Sequence, residues 1–432
     1  MKALTALTLL ASAMVAIPAA AQYHPTTPDY QEVKIINSKG SDSIQQLNVY
    51  NIFLENSPRS FHVPGAPRFA IEGSDHKFYL GIGGKLKATV SYDWGHPIHV
   101  GHSFRTSNIP MHQAPGNGGL TQFNIQQSGL YLNFVALPGE KNQIGVYIST
   151  DLLGNNNGFD LNFAYIKWRG LTAGYYYSLF TDIAACPPTI DHQGPNAFTF
   201  DPRVQVSYTY NFNNHWSIAG GLEDMKRSAT YTDATSQVSQ RVPDFPVYLQ
   251  YAWGGGKSWL RASALFRSLL YRDNIAQCNH TNFGWGIKLS GSAQLCPFIT
   301  AYYQGLYGHG ISSYIQDLGG LGLDMVPSAT KPGKLNSVKS WGAYLGLQYN
   351  ISRTVYATTT YSHVRDYAKH YDGGDTPWAD QYKYGQYAVA NVFWQITPII
   401  TTGIEYIYGR RVNFSGEKAH DSRLQTMLQV SF

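Results

Sequence analysis

The feature that constrains this chain most is a repeat of short segments in which apolar and polar side chains alternate, from residue 76 to residue 432. The final segment shows it best: Leu424, Thr426, Leu428, Val430 and Phe432 share one face, and Arg423, Gln425, Met427, Gln429 and Ser431 share the other. Successive side chains of a β-strand point to opposite faces, and a wall between lipid and water needs one apolar and one polar face. The pattern predicts an all-β protein, a transmembrane antiparallel β-barrel.

Sixteen segments carry this pattern, and the connections between them alternate in length. The segments are 76–95, 122–137, 142–153, 158–169, 171–184, 203–212, 215–225, 244–254, 258–273, 281–294, 297–309, 338–350, 354–369, 381–396, 400–413 and 421–432. Tight connections lie at 138–141, 170, 213–214, 255–257, 295–296, 351–353 and 397–399, and the longest of the others at 96–121, 185–202, 226–243 and 310–337. Outer-membrane barrels have short periplasmic turns and long external loops. We therefore predict about 16 strands, with 14 or 18 as alternatives, and both termini in the periplasm. A soluble sandwich or propeller would not keep one face apolar around the whole circuit.

The N-terminus has the features of an export signal. Lys2 precedes an apolar stretch at residues 3–17, and Pro18 and three alanines follow before Gln22. This predicts a secretory signal peptide at residues 1–21, since the apolar stretch is too short for a comfortable membrane anchor. Residues 22–65 are polar, and we predict a short periplasmic N-terminal extension there with a helix over 42–56. A disordered leader is the equal alternative. The barrel then occupies residues 66–432.

Composition narrows the class further. Charged residues make up 14% of the chain and the net charge is +5, while 32 Tyr, 20 Phe and 9 Trp are present. This argues against a disordered chain, a coiled-coil rod and a basic nucleic-acid binder. Barrel aromatics gather in two girdles at the membrane interfaces, for which we predict Trp94, Trp168, Trp216, Trp259, Trp285 and Trp394. The three cysteines form no disulfide framework, although a single bridge stays open as an alternative; they are Cys186, Cys278 and Cys296.

The inward face carries more basic than acidic residues. A barrel of this size encloses a water-filled channel, so these side chains are the predicted pore lining. They are Lys85, Lys87, Arg203, Arg261, Arg267, Lys288, Arg411 and Arg423 against Asp93, Asp151, Asp160, Glu223 and Glu405. The basic excess predicts a mild preference for anions, and the alternative is charge pairing across the wall without selectivity. Glu405 and Arg411 share one face of one strand, so we predict that they form a structural pair.

Several short motifs together resemble the DcaP-like porins of Gram-negative outer membranes. They are residues 78–87 (FYLGIGGKLK) with Tyr92 and Asp93, residues 164–166 with 174–182, residues 188–191 with 194–196, residues 308–311 with Tyr314 and Ile315, residues 403–411, and the terminal Phe432. The resemblance covers most of residues 70–432. It implies a homotrimer among outer-membrane lipids that passes small anionic or polar solutes such as dicarboxylates. Residues 22–65 lack the heptads of the family's N-terminal coiled coil, and Gly129 stands where the family usually has an arginine.

The third external connection is the predicted constriction. By count it spans residues 185–202, and in porins of sixteen strands the third external loop folds inward and narrows the channel. It is stiffened by prolines and mixes charged with apolar residues. The charged residues that we assign to the constriction are Asp182, Asp191, His192, Asp201 and Arg203. A surface loop open to solvent is the alternative.

The sequence indicates a diffusion channel for small hydrophilic solutes, with no sign of catalysis. It contains no nucleophile elbow and no His-Glu-x-x-His run, so we assign no catalytic residue, cofactor or metal. Histidines bind zinc or copper, but no cysteine or carboxylate completes the set formed by His96, His99, His102 and His112.

Two other functions stay open. One is a barrel hydrolase, for which the local cluster is Ser362, His363 and Asp366, although neighbouring strand residues face opposite sides. The other is a non-conducting structural or adhesin barrel.

Overall fold

The computed structural model describes residues 34–36, 43–58, 61, 66–73, 77–152, 158–371 and 376–432. The signal peptide predicted at residues 1–21 lies outside these described residues. The described part of the chain contains one α-helix, α1 (Ser43–Asn56), and the strands β1 (Lys34–Ile36), β2 (Phe69–Glu72), β3 (Phe78–Gly95), β4 (Gly119–Asn124), β5 (Gly129–Ala136), β6 (Ile144–Asp151), β7 (Asp160–Trp168), β8 (Leu171–Tyr177), β9 (Pro202–Asn211), β10 (Trp216–Glu223), β11 (Thr235–Gln237), β12 (Phe245–Trp253), β13 (Ser258–Asp273), β14 (Cys278–Cys296), β15 (Ile299–His309), β16 (Met325–Pro327), β17 (Leu335–Ser337), β18 (Lys339–Asn350), β19 (Val355–Asp366), β20 (Tyr382–Gln395), β21 (Ile400–Asn413) and β22 (Lys418–Ser431).

The sheet closes on itself. The last strand, β22, pairs antiparallel with β3 from Asp421–Gly95 to Ser431–Lys85, and the Phe432 N–H donates to the Gly84 carbonyl at 2.9 Å. Every wall strand is antiparallel to its neighbours, with β4 and β5 together forming one strand of the circuit. Closure leaves no open sheet edge for lipid to meet. The predicted antiparallel barrel of 16 strands is confirmed.

The second wall strand is interrupted, so its prediction as one continuous segment over 122–137 is wrong. β4 pairs with the external part of β3 and β5 with its periplasmic part. Between them Gln127 and Ser128 are buried: the Lys87 ammonium donates to the Gln127 side chain, and the Lys87 N–H donates to Ser128 Oγ at 2.9 Å. These side-chain hydrogen bonds replace ladder bonds at the break. The neighbouring strands β6, β7 and β8 are short, with 8, 9 and 7 residues against 19 in β14.

The outer face is apolar, as lipid contact requires. On β22, Leu424 and Leu428 are exposed, while Gln425 and Met427 between them are buried. Five of the six girdle tryptophans occupy outward positions. Trp259 does not, because its indole N–H donates to Asp182 inside the barrel at 3.1 Å. The girdle prediction is therefore wrong for Trp259.

Part of the lumen is a packed core rather than water. Long external connections fold inward, and Phe180, Ile311, Tyr314, Ile315 and Leu318 from two of them pack against inward wall residues. The wall residues in this cluster include Leu265, Leu306 and Val364. Apolar burial of this kind fixes the loops in place, so much of the inward face contacts protein instead of solvent.

The N-terminal segment lies at the periplasmic end. Helix α1 buries Val49, Tyr50 and Phe53 against Tyr79 and Val135 of the inner wall, and β1 pairs in parallel with β2, which extends the sheet beside β3. In the described residues no helix is long and apolar enough to cross a membrane. Cys186, Cys278 and Cys296 are free thiols, so the single bridge left open above is absent among them.

Candidate channel constriction

The third external loop crosses the lumen. Residues 178–201 join the neighbouring strands β8 and β9, yet the middle of the loop contacts the wall at β3, β20 and β21. The Lys87 ammonium on β3 donates to the Ile190 carbonyl at 2.8 Å. The Asn391 amide on β20 donates to the Pro188 carbonyl at 3.0 Å.

Glu405 on β21 holds the same part of the loop from its other side. Its two carboxylate oxygens accept the N–H groups of Ile190 and Asp191 at 2.7 and 2.9 Å. A buried peptide group without a partner is costly, and here wall side chains take the place of water. Glu405 does not contact Arg411, whose guanidinium donates to the Ser107 carbonyl at 2.7 Å. The predicted Glu405–Arg411 pair is wrong, because each side chain binds a different loop backbone.

Side chains of the wall also hold the two ends of the third external loop. Lys288 donates to the Phe180 carbonyl and to Thr199 Oγ1, the latter at 3.0 Å. The Leu179 N–H donates to Glu223 at 2.8 Å. Asp182 accepts from Ser290 Oγ at 2.8 Å and lies 3.4 Å from Arg261.

The first external loop, residues 96–118, is bound to the third. The Phe104 N–H donates to Asp191 at 2.9 Å, and the Tyr387 hydroxyl donates to the other Asp191 oxygen at 3.1 Å. Burial raises the pKa of Asp191 to about 7, and the neighbouring Glu405 carboxyl adds to the rise. Asp191 therefore joins two loops and the wall at one buried carboxyl group.

A second buried network holds the loop that follows β15. Arg203 and Arg267 share the Asp244 carboxylate at 3.3 and 3.0 Å, and Arg267 also contacts Asp324 at 3.1 Å. The Tyr314 ring lies under the Arg203 guanidinium, 4.1 Å from its centroid. Arg203 also pairs with Asp201 at 2.5 Å. These arginines are fully buried, so their charge is balanced by carboxylates.

An open cavity of about 270 Å³ remains between the third loop and the wall at β5–β8. Its ionisable lining groups are Lys85, Asp151 and His192. Its aromatic lining comes from Tyr131, Tyr147, Phe163, Tyr175, Tyr177 and Phe200. Burial, together with Lys85 and Lys87, lowers the pKa of His192 to about 3, so this imidazole is neutral at pH 7.

A stack of tyrosines follows the inner wall beside the cavity. The Tyr131 and Tyr147 rings are 5.6 Å apart and 17° from parallel, and Tyr147 and Tyr165 are 5.5 Å apart and 18° from parallel. None of these tyrosines is among the residues predicted from the sequence to line the pore. The signal was present, because alternation along residues 144–151 places Tyr147 on the same face as Asp151.

The structure thus separates the predicted site residues into groups. Lys85, Asp151 and His192 line the cavity, and Asp160 lies opposite Asp151 at the end of β7. The Arg261 side chain is 17% exposed. The remaining predicted residues hold loops or other side chains, and those with nearly complete burial are Lys87, Asp93, Asp182, Asp191, Arg203, Glu223, Arg267, Lys288, Glu405 and Arg423.

Two histidines of the first external loop contact neighbouring protein groups. His96 Nδ1 lies 2.7 Å from the Pro110 carbonyl, and His112 lies 3.3 Å from Glu417. Across the described ranges, no three His, Cys, Asp or Glu side chains are grouped so that they could hold a metal ion.

Comparison with known proteins decides the family. Residues 121–428, more than half of the chain, match the family described as the porin subfamily. The chain belongs to this subfamily. This porin is similar in structure to the outer membrane channel DcaP of Acinetobacter baumannii, with a TM-score of 0.70 and 18% identity over 84% of this chain and 99% of that one. The resemblance stated from the sequence motifs is confirmed.

More distant structures share the fold. OmpT, an outer membrane protein of Vibrio cholerae, matches with a TM-score of 0.51 and 8% identity over 82% of this porin and 98% of OmpT. An anion-selective porin from Comamonas acidovorans matches with a TM-score of 0.52 and 10% identity over 82% of this porin and 100% of that chain. No curated protein sequence matches significantly.

The family and the fold place this porin in the outer membrane of a Gram-negative bacterium as a channel for small solutes. They indicate a channel rather than an enzyme. The geometry at the hydrolase cluster agrees: Ser362 is buried and donates to Asn196 at 2.7 Å, whereas the neighbouring His363 stacks on Trp341 with a centroid distance of 5.0 Å.

Proposed function

We propose that this porin lets small hydrophilic solutes diffuse passively, with a preference for anions such as dicarboxylates, and that residues 185–202 form its constriction. The observation that carries the proposal is the cavity beside this loop, which Lys85, Asp151 and His192 line. Solutes that pass between the loop and the wall at β5–β8 meet this cavity. Selectivity then depends on its width and on the charges at its surface.

The anion preference rests on a small number of cations. Arg203, Arg267 and Arg423 are paired with buried carboxylates, so they contribute little field to the water. Lys85 lines the cavity together with Asp151, and Arg261, although 3.4 Å from Asp182, reaches solvent with 17% of its side chain. His192 is neutral at pH 7 and leaves this balance unchanged.

The homotrimer is part of the same proposal. Strands β6–β8 are short, and two large apolar side chains near their external ends are strongly exposed: Phe123 is 79% and Phe159 is 75% exposed. We propose that these two side chains contact a neighbouring subunit rather than lipid. Light scattering in detergent should give three chains per particle, and Phe123→Ala with Phe159→Ala should shift the particle toward one chain. We also propose that residues 1–21 are a signal peptide removed on export.

Ion selectivity in planar bilayers tests the function. Under a salt gradient, the reversal potential should show anion preference, and Lys85→Gln should move it toward cations. Lys257→Gln is the matched control, because Lys257 is exposed in a periplasmic turn. An equal shift in both variants, or a cation-selective parent, would overturn the proposed preference, and silent insertion would overturn the channel.

A further inference from the structure

We infer that helix α1 is a plug seated inside the periplasmic mouth of the barrel, and that it must leave its seat for the channel to conduct fully. The inference rests on the proposed diffusion function. It differs from a periplasmic extension outside the barrel, because α1 contacts inward-facing wall residues. The contacts that carry it come from β5, β6 and β7.

The wall binds the carbonyl groups at the end of the helix. The Asn133 amide donates to the Phe53 carbonyl at 3.0 Å, and the Tyr165 hydroxyl donates to the Asn56 carbonyl at 2.6 Å. The Lys167 ammonium donates to the carbonyls of Glu55 and Asn56 at 3.0 and 3.2 Å. The last carbonyls of a helix have no partner within the helix, and a cation stabilises that end. Two strands, β5 and β7, thus present donors that match one helix terminus.

Side-chain contacts fix the position of the helix end against β5 and β6, which we call its seat. The Asn56 amide donates to the Asn133 side chain at 2.6 Å. Gly145 on β6 allows the approach, because a Cβ atom there would lie 2.0 Å from Asn56 Oδ1. A larger residue at Gly145 would therefore push the helix end away from the wall.

The seat lies directly on the periplasmic side of the cavity. On β5, Asn133 holds the helix and Tyr131 lines the cavity; on β6, Gly145 faces the helix and Tyr147 lines the cavity. Residues two apart on a strand are separated by about 7 Å on one face. A solute leaving the cavity along this wall toward the periplasm meets the end of α1.

The segment after the helix reaches the other side of the mouth. Phe61 packs edge-on against Phe393 at 5.0 Å and against Tyr356 at 6.4 Å. These two wall residues lie in one hydrophobic cluster with Ile190 of the third loop. The N-terminal segment and the constriction loop therefore bind one cluster, so movement of either changes the packing of the other.

The helix can leave without unfolding the wall. The wall strands are joined by continuous backbone ladders. The described side chains that hold α1 are the buried Val49, Tyr50 and Phe53 and the partly buried Ile52 and Leu54, together with the hydrogen bonds above. Elements with few buried contacts open at lower free energy than the ladders around them. This difference makes α1 a removable plug.

A reversible cross-link tests the plug. Asn56→Cys with Gly145→Cys, in a chain that also carries Cys278→Ser and Cys296→Ser, should form a disulfide. The Asn56→Cys change removes the amide that a Cβ atom at position 145 would meet, so the helix end can stay beside β6 with the two sulfur atoms close together. Asn56→Cys alone in the same background is the matched control. A helix with its side chains is about 10 Å across, so we expect single-channel conductance to rise about twofold or more when dithiothreitol reduces the bond.

The outcomes of the cross-link experiment distinguish the plug from the proposed channel. Equal conductance of the oxidised and reduced double variant overturns the plug, and failure of the disulfide to form under oxidant overturns the seat. No conductance in either state, nor in the control, counts against the proposed channel rather than against the plug. Gly145→Ala gives an independent measurement: it should raise conductance, whereas Gly305→Ala, where a Cβ meets nothing within 4 Å, should not. Equal conductance of these two variants also contradicts the plug.

Discussion

Arg423 and Asp93 face each other across the seam that closes the barrel. Their backbones are directly paired between β22 and β3, and the guanidinium holds the carboxylate through two hydrogen bonds of 2.7 and 2.8 Å. Both side chains are fully buried. The remaining Arg423 N–H groups point at carbonyls of the first external loop, including Val100 at 3.1 Å. Arg423 therefore joins β3, β22 and the first external loop inside the lumen.

Removing one partner of this seam pair should destabilise the barrel strongly. Arg423→Met leaves Asp93 buried without its counter-ion, and breaking a buried pair in this way costs about 3–5 kcal/mol. We expect the variant to lose its heat-resistant form in gel electrophoresis at a clearly lower temperature. Arg353→Met is the control, because Arg353 is exposed in a periplasmic turn. If Arg423→Met lost its heat-resistant form at the same temperature as Arg353→Met, the backbone ladder alone would hold the seam closed.

Glu405 should control how firmly the third loop stays in the lumen. Glu405→Ala removes the acceptor of two buried N–H groups, and each unpaired group costs about 1–3 kcal/mol. We expect larger and noisier single-channel currents, because the loop moves. Glu405→Gln, which keeps one accepting oxygen, should give an intermediate result. The exposed Glu140→Ala provides the baseline, and currents as quiet as that baseline would exclude Glu405 as a loop fastener.

The carboxyl group of Asp191 should make the stability of the loop depend on pH. Its pKa is raised to about 7 by burial and by Glu405, with Arg423 acting in the opposite direction, against about 3.9 in an unfolded chain. The folded protein therefore binds a proton more tightly than the unfolded chain. The contribution to stability is complete below about pH 4 and is lost as the pH rises through about 7.

Thermal unfolding of the detergent-solubilised protein at pH 5 and pH 8 measures this effect. The midpoint should be lower at pH 8, and Asp191→Asn should narrow the difference, because the amide oxygen still accepts from Phe104 while the charge is gone. Glu405 remains in the variant, so we expect a smaller difference rather than none. An unchanged difference between the two pH values would assign the pH dependence to other groups.

Alternation predicted the barrel because it is a local property of each strand. It placed Arg267 and Arg423 on the inward face, where the structure has them. It could not show what fills the space in front of them, because their partners come from loops that are distant in sequence, as with Arg423 and Asp93, 330 residues apart. For the same reason the helix over 42–56 was visible as a pattern, while its seat on Asn133 and Tyr165 was not.

Two inward arginines on one strand share a face but differ in what they contact, and this difference in environment can be measured. Arg261 and Arg267 on β13 look equivalent in the sequence, since both are basic and share one face. Arg261 binds the Gln250 side chain at 2.7 Å and keeps solvent contact. Arg267 is fully buried between Asp244 and Asp324 and donates to the Gly310 carbonyl at 2.6 Å.

Substituting glutamine for each arginine should therefore have different effects. Arg261→Gln should fold normally and shift the reversal potential toward cations, because a lumen cation is lost. Arg267→Gln should lower thermal stability by about 3–5 kcal/mol, since two buried carboxylates lose their shared cation, and any folded fraction should keep the parent's reversal potential. Heat stability and bilayer recordings on both variants separate these effects. If Arg267→Gln folded as well as the parent and changed selectivity, Arg267 would face the conducting water, and the loop after β15 would have to lie elsewhere.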